Sequence, residues 1–105
     1  MPPRITTEAG RAALGAVAEG TAGRPETATA VRYLLQLLAE KAPGATVEVR
    51  VPPFGATQII EGPRHTRGTP PNVVEMDAAT FIDLATGVRG WSDAETSGAL
   101  RASGV

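Results

Sequence analysis

Residues 26–42 constrain the fold more than any other segment. Val31, Leu34, Leu35 and Leu38 recur at i, i+3, i+4 and i+7, the spacing of one helix face. Ala30, Tyr33 and Leu37 widen that face, leaving Thr29, Arg32, Gln36 and Glu40 as a narrow polar strip. A helix apolar over well more than half its circumference requires apolar neighbours on two sides. One is expected to be a sheet. The other is the chain's first helix, a bound apolar ligand or a second subunit, so a homodimer is an open arrangement.

The segments on either side supply those partners. Residues 7–19 read as a helix capped by Thr6 or Thr7, with Glu8 in the first turn. Its expected buried face is small: Ala9, Ala12, Ala13, Ala16 and Val17. Gly10 and Gly15 weaken it. Thr21–Pro25 is a connector. After Pro43 and Gly44 end the long helix, Val47, Val49 and Val51 alternate with Glu48 and Arg50, the period-2 pattern of a strand with one buried face. Pro52 and Pro53 stop its ladder, since neither can donate. Ala56–Glu61 reads as its hairpin partner. A loop over Gly62–Pro71 leads to a short strand at Asn72–Met76. Asp77 caps a helix through Phe81, Ile82 and Leu84 that closes at Gly87. Ser92 and Glu95 form a capping box for a further short helix. Gly98 ends that helix, and Ala99–Ser103 is a last strand. The expected fold is α+β: a single small, mostly antiparallel sheet with helices packed on one face. It forms one domain over 1–105, with an N-terminal helix and connector at 1–25 and a core at 26–104.

Composition removes several function classes. The net charge is −1, with acids and bases interleaved, so no basic patch is available for nucleic acid. There is no cysteine, which excludes disulfides, thiolate metal sites and thiol catalysis. No apolar run approaches the ~20 residues of a membrane span, and the first residues lack the apolar stretch of a secretory signal. No stable membrane insertion is expected, and a cytoplasmic location is. One lysine stands against nine arginines, a bias that fits a GC-rich genome.

The 61–75 segment carries the densest chemistry: the only histidine, His65, with Arg64, Arg67, Glu61 and Glu75 between two strands. Loops braced by strands on both sides are where binding is usually placed. His65 with Glu61 and Glu75 raises a general-base or metal reading. A metal site normally needs three or more ligands, and one histidine with scattered acids falls short. No catalytic residue, metal or cofactor is assigned, and His65 is read as ordering the loop. Its flanking arginines should lower its pKa. Arg64 and Arg67 suit a carboxylate or phosphate head group, because the guanidinium fork matches those anions. The favoured reading is that they brace the loop by pairing with Glu61 and Glu75, which lie close in sequence on either side. Leu34, Leu37, Leu38, Ile59, Val73, Phe81 and Ile82 either line an apolar cavity or fill a core. Trp91 reads as a packing anchor.

Two parts of the chain resemble a known family. From Asn72 onward, Asp77 caps a helix, Leu84 and Gly87 make its turn, Trp91 opens a short helix, and Ser97, Gly98 and Gly104 frame a strand. This is similar to the C-terminal half of the sterol carrier protein type 2 fold. Val47–Pro53 with the 61–75 segment resembles, more narrowly, a small bacterial sterol-carrier family of actinobacterial type, and the resemblance spans 26–104. It implies a sterol-carrier-like fold and non-catalytic binding, and possible transfer, of an apolar or amphipathic molecule such as a lipid or sterol-like compound. The alternative it implies is an interaction or dimerisation module with a filled core, since related folds occur as appended domains of bacterial isomerases and acetyltransferases. An apolar void of ~300 Å³ or more separates the two. Relatives continue past the Ser-Gly into a tail that helps close the lipid tunnel. This sequence stops at Val105, so a fully enclosed cavity is not expected. The Arg64–Arg67 motif is foreign to the eukaryotic carriers, whose ligands therefore do not transfer.

Overall fold

The computed structural model describes residues 3–62 and 70–104. Helix α1 spans Thr7–Glu19 and α2 spans Arg24–Lys41. Strands β1 (Val47–Val51), β2 (Gly55–Ile59) and β3 (Asn72–Met76) follow, then α3 (Ala78–Thr86), α4 (Trp91–Thr96) and β4 (Leu100–Ser103). The fold is α+β. The strands form one open sheet in the order β2-β1-β3-β4. β1 pairs antiparallel with β2 and β3 antiparallel with β4, while the central β1–β3 pairing is parallel. The sheet is therefore mixed.

Register divides the sheet into two chemically distinct faces. Val47, Val49 and Val51 share one face with Ile59, Val74, Met76 and Leu100. That face joins Val31, Leu35, Phe81 and Ile82 in a single core, which Ala94 of α4 completes. The opposite face carries Glu48, Arg50, Glu75 and Arg101, closed by Glu48–Arg50 and Glu75–Arg101 ion pairs. The alternation of Val with Glu and Arg in β1 thus reads directly as inside and outside.

Helix α2 begins two residues earlier than its periodicity indicates, with Pro25 in the first turn. Proline is tolerated there because its missing N–H would have no helical partner. The Glu26 carboxylate accepts from the Gly23 N–H at 2.7 Å and completes the cap. The expected polar strip of α2 is present, and it carries structural work. The Gln36 amide accepts from the Ile5 N–H at 2.8 Å and donates to the Ile5 carbonyl at 2.9 Å. Arg4 donates twice to Glu40, at 2.8 Å each. These bonds strap the N-terminal segment along α2. The hydrogen bonds from Arg4 hold the Glu40 carboxyl below its usual pKa, and the same pair raises the Arg4 guanidinium. Arg32 donates to the Phe54 carbonyl at 3.0 Å, and Arg24 sits 5.5 Å from the centre of the Phe54 ring. The β1–β2 turn is thereby tied to the same helix.

Helix α1 is the second neighbour that α2 needed, but it presents a different face from the one its alanines indicate. Gly10 and Ala13 are buried, Leu14 and Val17 pack on the core, and Ala9 and Ala12 are exposed. The cause is Tyr33. Its ring occupies the space where a Cβ on residue 10 would lie, so position 10 receives the ring only as a glycine. Docking Gly10 there turns Ala9 and Ala12 toward solvent and brings Leu14 inward, while Ala13 and Val17 keep their expected places on the packed face.

Helix α3 is capped as expected: the Asp77 carboxylate accepts from the Thr80 N–H at 2.8 Å, and Gly87 closes the helix in a left-handed conformation. That backbone bond is the main reason the Asp77 carboxyl lies below its ordinary pKa. Helix α4 departs from expectation. It starts at Trp91 with Gly90 as its cap and no side-chain cap bond, so Ser92 lies inside the first turn and the Ser92–Glu95 box does not form. The Ala94 N–H reaches the Gly90 carbonyl at 3.2 Å, and this earlier start buries Ala94 while turning Trp91 outward.

Candidate functional site

Between α2, the inner face of the sheet and the end of α3 lies an apolar cleft of about 600 Å³. Leu34, Leu37, Leu38 and Lys41 line it from α2, and Val47, Val49, Ile59, Ile60, Val74 and Met76 from the sheet side. Phe81, Leu84 and Ala85 of α3, with Trp91 of α4, form the remaining wall. The cleft exists because the wide apolar arc of α2 is divided. Val31 and Leu35 are buried in the core, whereas Leu34, Leu37 and Leu38 are only partly covered. Apolar side chains left half-covered in a concavity, rather than collapsed on one another, are the usual lining of a small-molecule site.

The mouth has two features the sequence did not signal. Ile60 is 48% exposed and has a φ of 66°, a conformation a β-branched residue rarely adopts. Its N–H donates to the Ala42 carbonyl at 2.8 Å, and its carbonyl accepts from the Thr46 hydroxyl at 2.6 Å and the Thr46 N–H at 3.1 Å. Gly44 makes this possible, since a Cβ there would overlap the Ile60 backbone. The chain leaving β2 is thereby bent so that Ile60 faces the cleft instead of continuing the strand to Glu61. Trp91 is the second feature. It is 47% exposed and lies at the cleft rim, which corrects its reading as a packing anchor. The aromatic ring is exposed because the helix that carries it spends Ala94, not Trp91, on the core.

Of the apolar residues singled out from sequence, Leu34, Leu37, Leu38, Ile59 and Phe81 meet in this cleft. Val73 and Ile82 do not line it. Val73 pairs alongside Glu48 and Ser103 on the outer face, and its neighbour Val74 takes the inward position. A run of two valines leaves the phase of a strand undecided, and the register with β1 decides it. Ile82 is buried in the core. Glu75 does not depend on the loop arginines for a partner: Arg101 of β4 donates to it at 2.8 Å across the β3–β4 ladder. Glu61 is exposed just beyond β2. Arg64, His65 and Arg67 lie outside the described residues, and so do the loop-bracing and histidine-pKa expectations placed on them.

A shallower hollow of about 370 Å³ lies over the β3–β4 side, lined by Glu75, Asp77 and Arg101 among others. Its charges are already spent on one another or on the α3 cap. Among the described residues no group of three or more His, Cys, Asp or Glu side chains is placed to hold a metal ion. No helix among them is long and apolar enough to cross a membrane.

The family model described as "Bacterial SCP ortholog" matches residues 23–105. The chain belongs to this bacterial sterol carrier protein-like family. The match takes in α2, the whole sheet and α3–α4, so every wall of the cleft falls inside it, whereas α1 precedes it. No curated protein matches the chain.

Proposed function

We propose that this sterol carrier family member binds an apolar or amphipathic small molecule, non-covalently, in the cleft between α2 and the sheet. The observation that carries this reading is the cleft itself: about 600 Å³, walled almost wholly by apolar side chains and within the ~300–1,000 Å³ range of small-molecule sites. Binding would proceed by burial. Each methylene moved from water into such a lining contributes about 0.8 kcal/mol, so micromolar affinity, about 8 kcal/mol, requires roughly ten buried methylenes. A long alkyl chain or a fused ring system meets that need. The chemistry-poor lining fits a binding role in which no bond of the ligand is broken.

Trp91 makes the reading directly testable, because it is the only tryptophan in the chain and stands at the rim. Titration with long-chain fatty acyl and sterol probes should saturate and shift Trp91 emission to the blue. In an alkyl series, affinity should rise roughly tenfold for each two added methylenes until the cleft is full. Leu38→Asp places a carboxylate among the cleft leucines and should abolish saturable binding. Absence of saturable binding for both probe classes at micromolar protein would refute the carrier reading.

A further inference from the structure

We infer that Lys41 makes the cleft selective for amphiphiles whose head group carries a negative charge, an inference that rests on the cleft being the ligand site. Leu34, Leu37, Leu38 and Lys41 follow one another at i, i+3, i+4 and i+7, so the lysine is the fourth member of the α2 stripe that lines the cleft. Three leucines give way to a cation where the stripe reaches the last turn of the helix. Lys41 is exposed, and it is the one charged residue among the described residues of the lining. A lysine in this position lays its four-carbon stem along the apolar wall and holds its ammonium at the water boundary. That is where the head of an amphiphile must sit if its tail fills the cleft.

The lysine is available for that role. The ion pairs among the described residues are Arg4–Glu40, Arg50–Glu48 and Arg101–Glu75, and Lys41 is in none of them. Its sequence neighbour Glu40 does not neutralise it, because both Glu40 oxygens accept from Arg4 on another face of α2. Lys41 is also the single lysine in a chain whose other nine basic side chains are arginine. A compact ammonium donates to a carboxylate or phosphate oxygen from several directions, as a point charge, so head-group charge is read more strictly than head-group shape.

The test compares two probes with the same chain, cis-parinaric acid and its methyl ester, at low salt and neutral pH. Wild type should bind the acid about fivefold more tightly than the ester, as roughly 1 kcal/mol of partly screened attraction produces, and the ratio should shrink near 1 M salt. Lys41→Met should bring the acid and the ester within about twofold of each other, and Lys41→Arg should keep the preference. Displacement by palmitate and by hexadecyl phosphate shows which anion the site prefers, and either supports the assignment. Equal affinity of wild type for acid and ester, with the ester still saturable, overturns charge selectivity and leaves the cleft reading standing. A preference that survives Lys41→Met overturns the assignment to Lys41. Failure of both probes to bind removes the cleft reading and this inference with it.

Discussion

Gly10→Ala and Gly15→Ala make the same chemical change in the same helix and should move stability in opposite directions. Alanine is favoured over glycine by about 1 kcal/mol in a helix interior, so propensity alone stabilises both variants. At residue 15 nothing lies within 4 Å of an added Cβ, so that gain is realised in full. At residue 10 the Cβ would fall within 3.0 Å of three atoms of the Tyr33 ring, and Tyr33 is only 5% exposed. Overpacking of this kind costs about 1–3 kcal/mol, and separating α1 from α2 to relieve it would also uncover Ala13 and Leu14. The expected balance is a gain of about 0.5–1 kcal/mol for Gly15→Ala and a net loss of about 1–2 kcal/mol for Gly10→Ala. Thermal unfolding by circular dichroism should show midpoints displaced upward and downward, by about 4–8 °C per kcal/mol. Because α1 stands behind α2 and not in the cleft, probe binding by folded Gly10→Ala should stay near wild type. If Gly10→Ala is as stable as Gly15→Ala, the account of how α1 docks on Tyr33 is wrong.

Asp77→Ala should lose about 1 kcal/mol at pH 7, read by urea denaturation, as the α3 cap is removed. The Asp77 carboxyl is held below its ordinary range, so its contribution is fully present above the unfolded value of about 3.9 and is lost as pH falls through the lower folded value. The gap between wild type and variant should therefore close below about pH 4, and an unchanged gap at pH 2 would contradict the cap. Gly44→Ala, at a φ of 147° and against the Ile60 backbone, should destabilise by more than about 2 kcal/mol and disturb the cleft mouth, seen as altered Trp91 emission in any folded fraction. Trp91→Ala removes an aromatic wall without opening the core, so stability should change by about 0.5 kcal/mol or less while probe affinity drops several-fold.

What the linear sequence determines here is whatever depends on neighbours a few residues apart. The i, i+3, i+4 repeat from Val31 to Leu38 specifies the helix, and the Val-Glu-Val-Arg-Val alternation of β1 specifies both its strand and its inside face. Asp77 and Gly87 delimit α3 through bonds spanning three or four residues. Even the need for two apolar neighbours of α2 was legible, because it is a matter of how much of one helix is apolar. The resemblance to sterol carriers was read over 26–104 from such local spacings, and the family match covers 23–105.

The site required contacts that no local pattern encodes. Whether Val73 or Val74 faces inward was settled by pairing with β1, more than twenty residues away, and the separate pairing with β4 gave Glu75 its partner in Arg101. The left-handed turn at Ile60 depends on Ala42, Gly44 and Thr46, which approach it only once β1 and β2 have paired. Tyr33 chose the face of α1 by demanding a residue without a Cβ. Whether the leucines of α2 close on one another or stand apart around 600 Å³ depends on how far the sheet and α3 hold the helix off, a distance set by side chains from every element. Periodicity determines which side chains share a face. Only tertiary packing determines whether that face is filled or left as a cleft, because the difference is the sum of many long-range contacts.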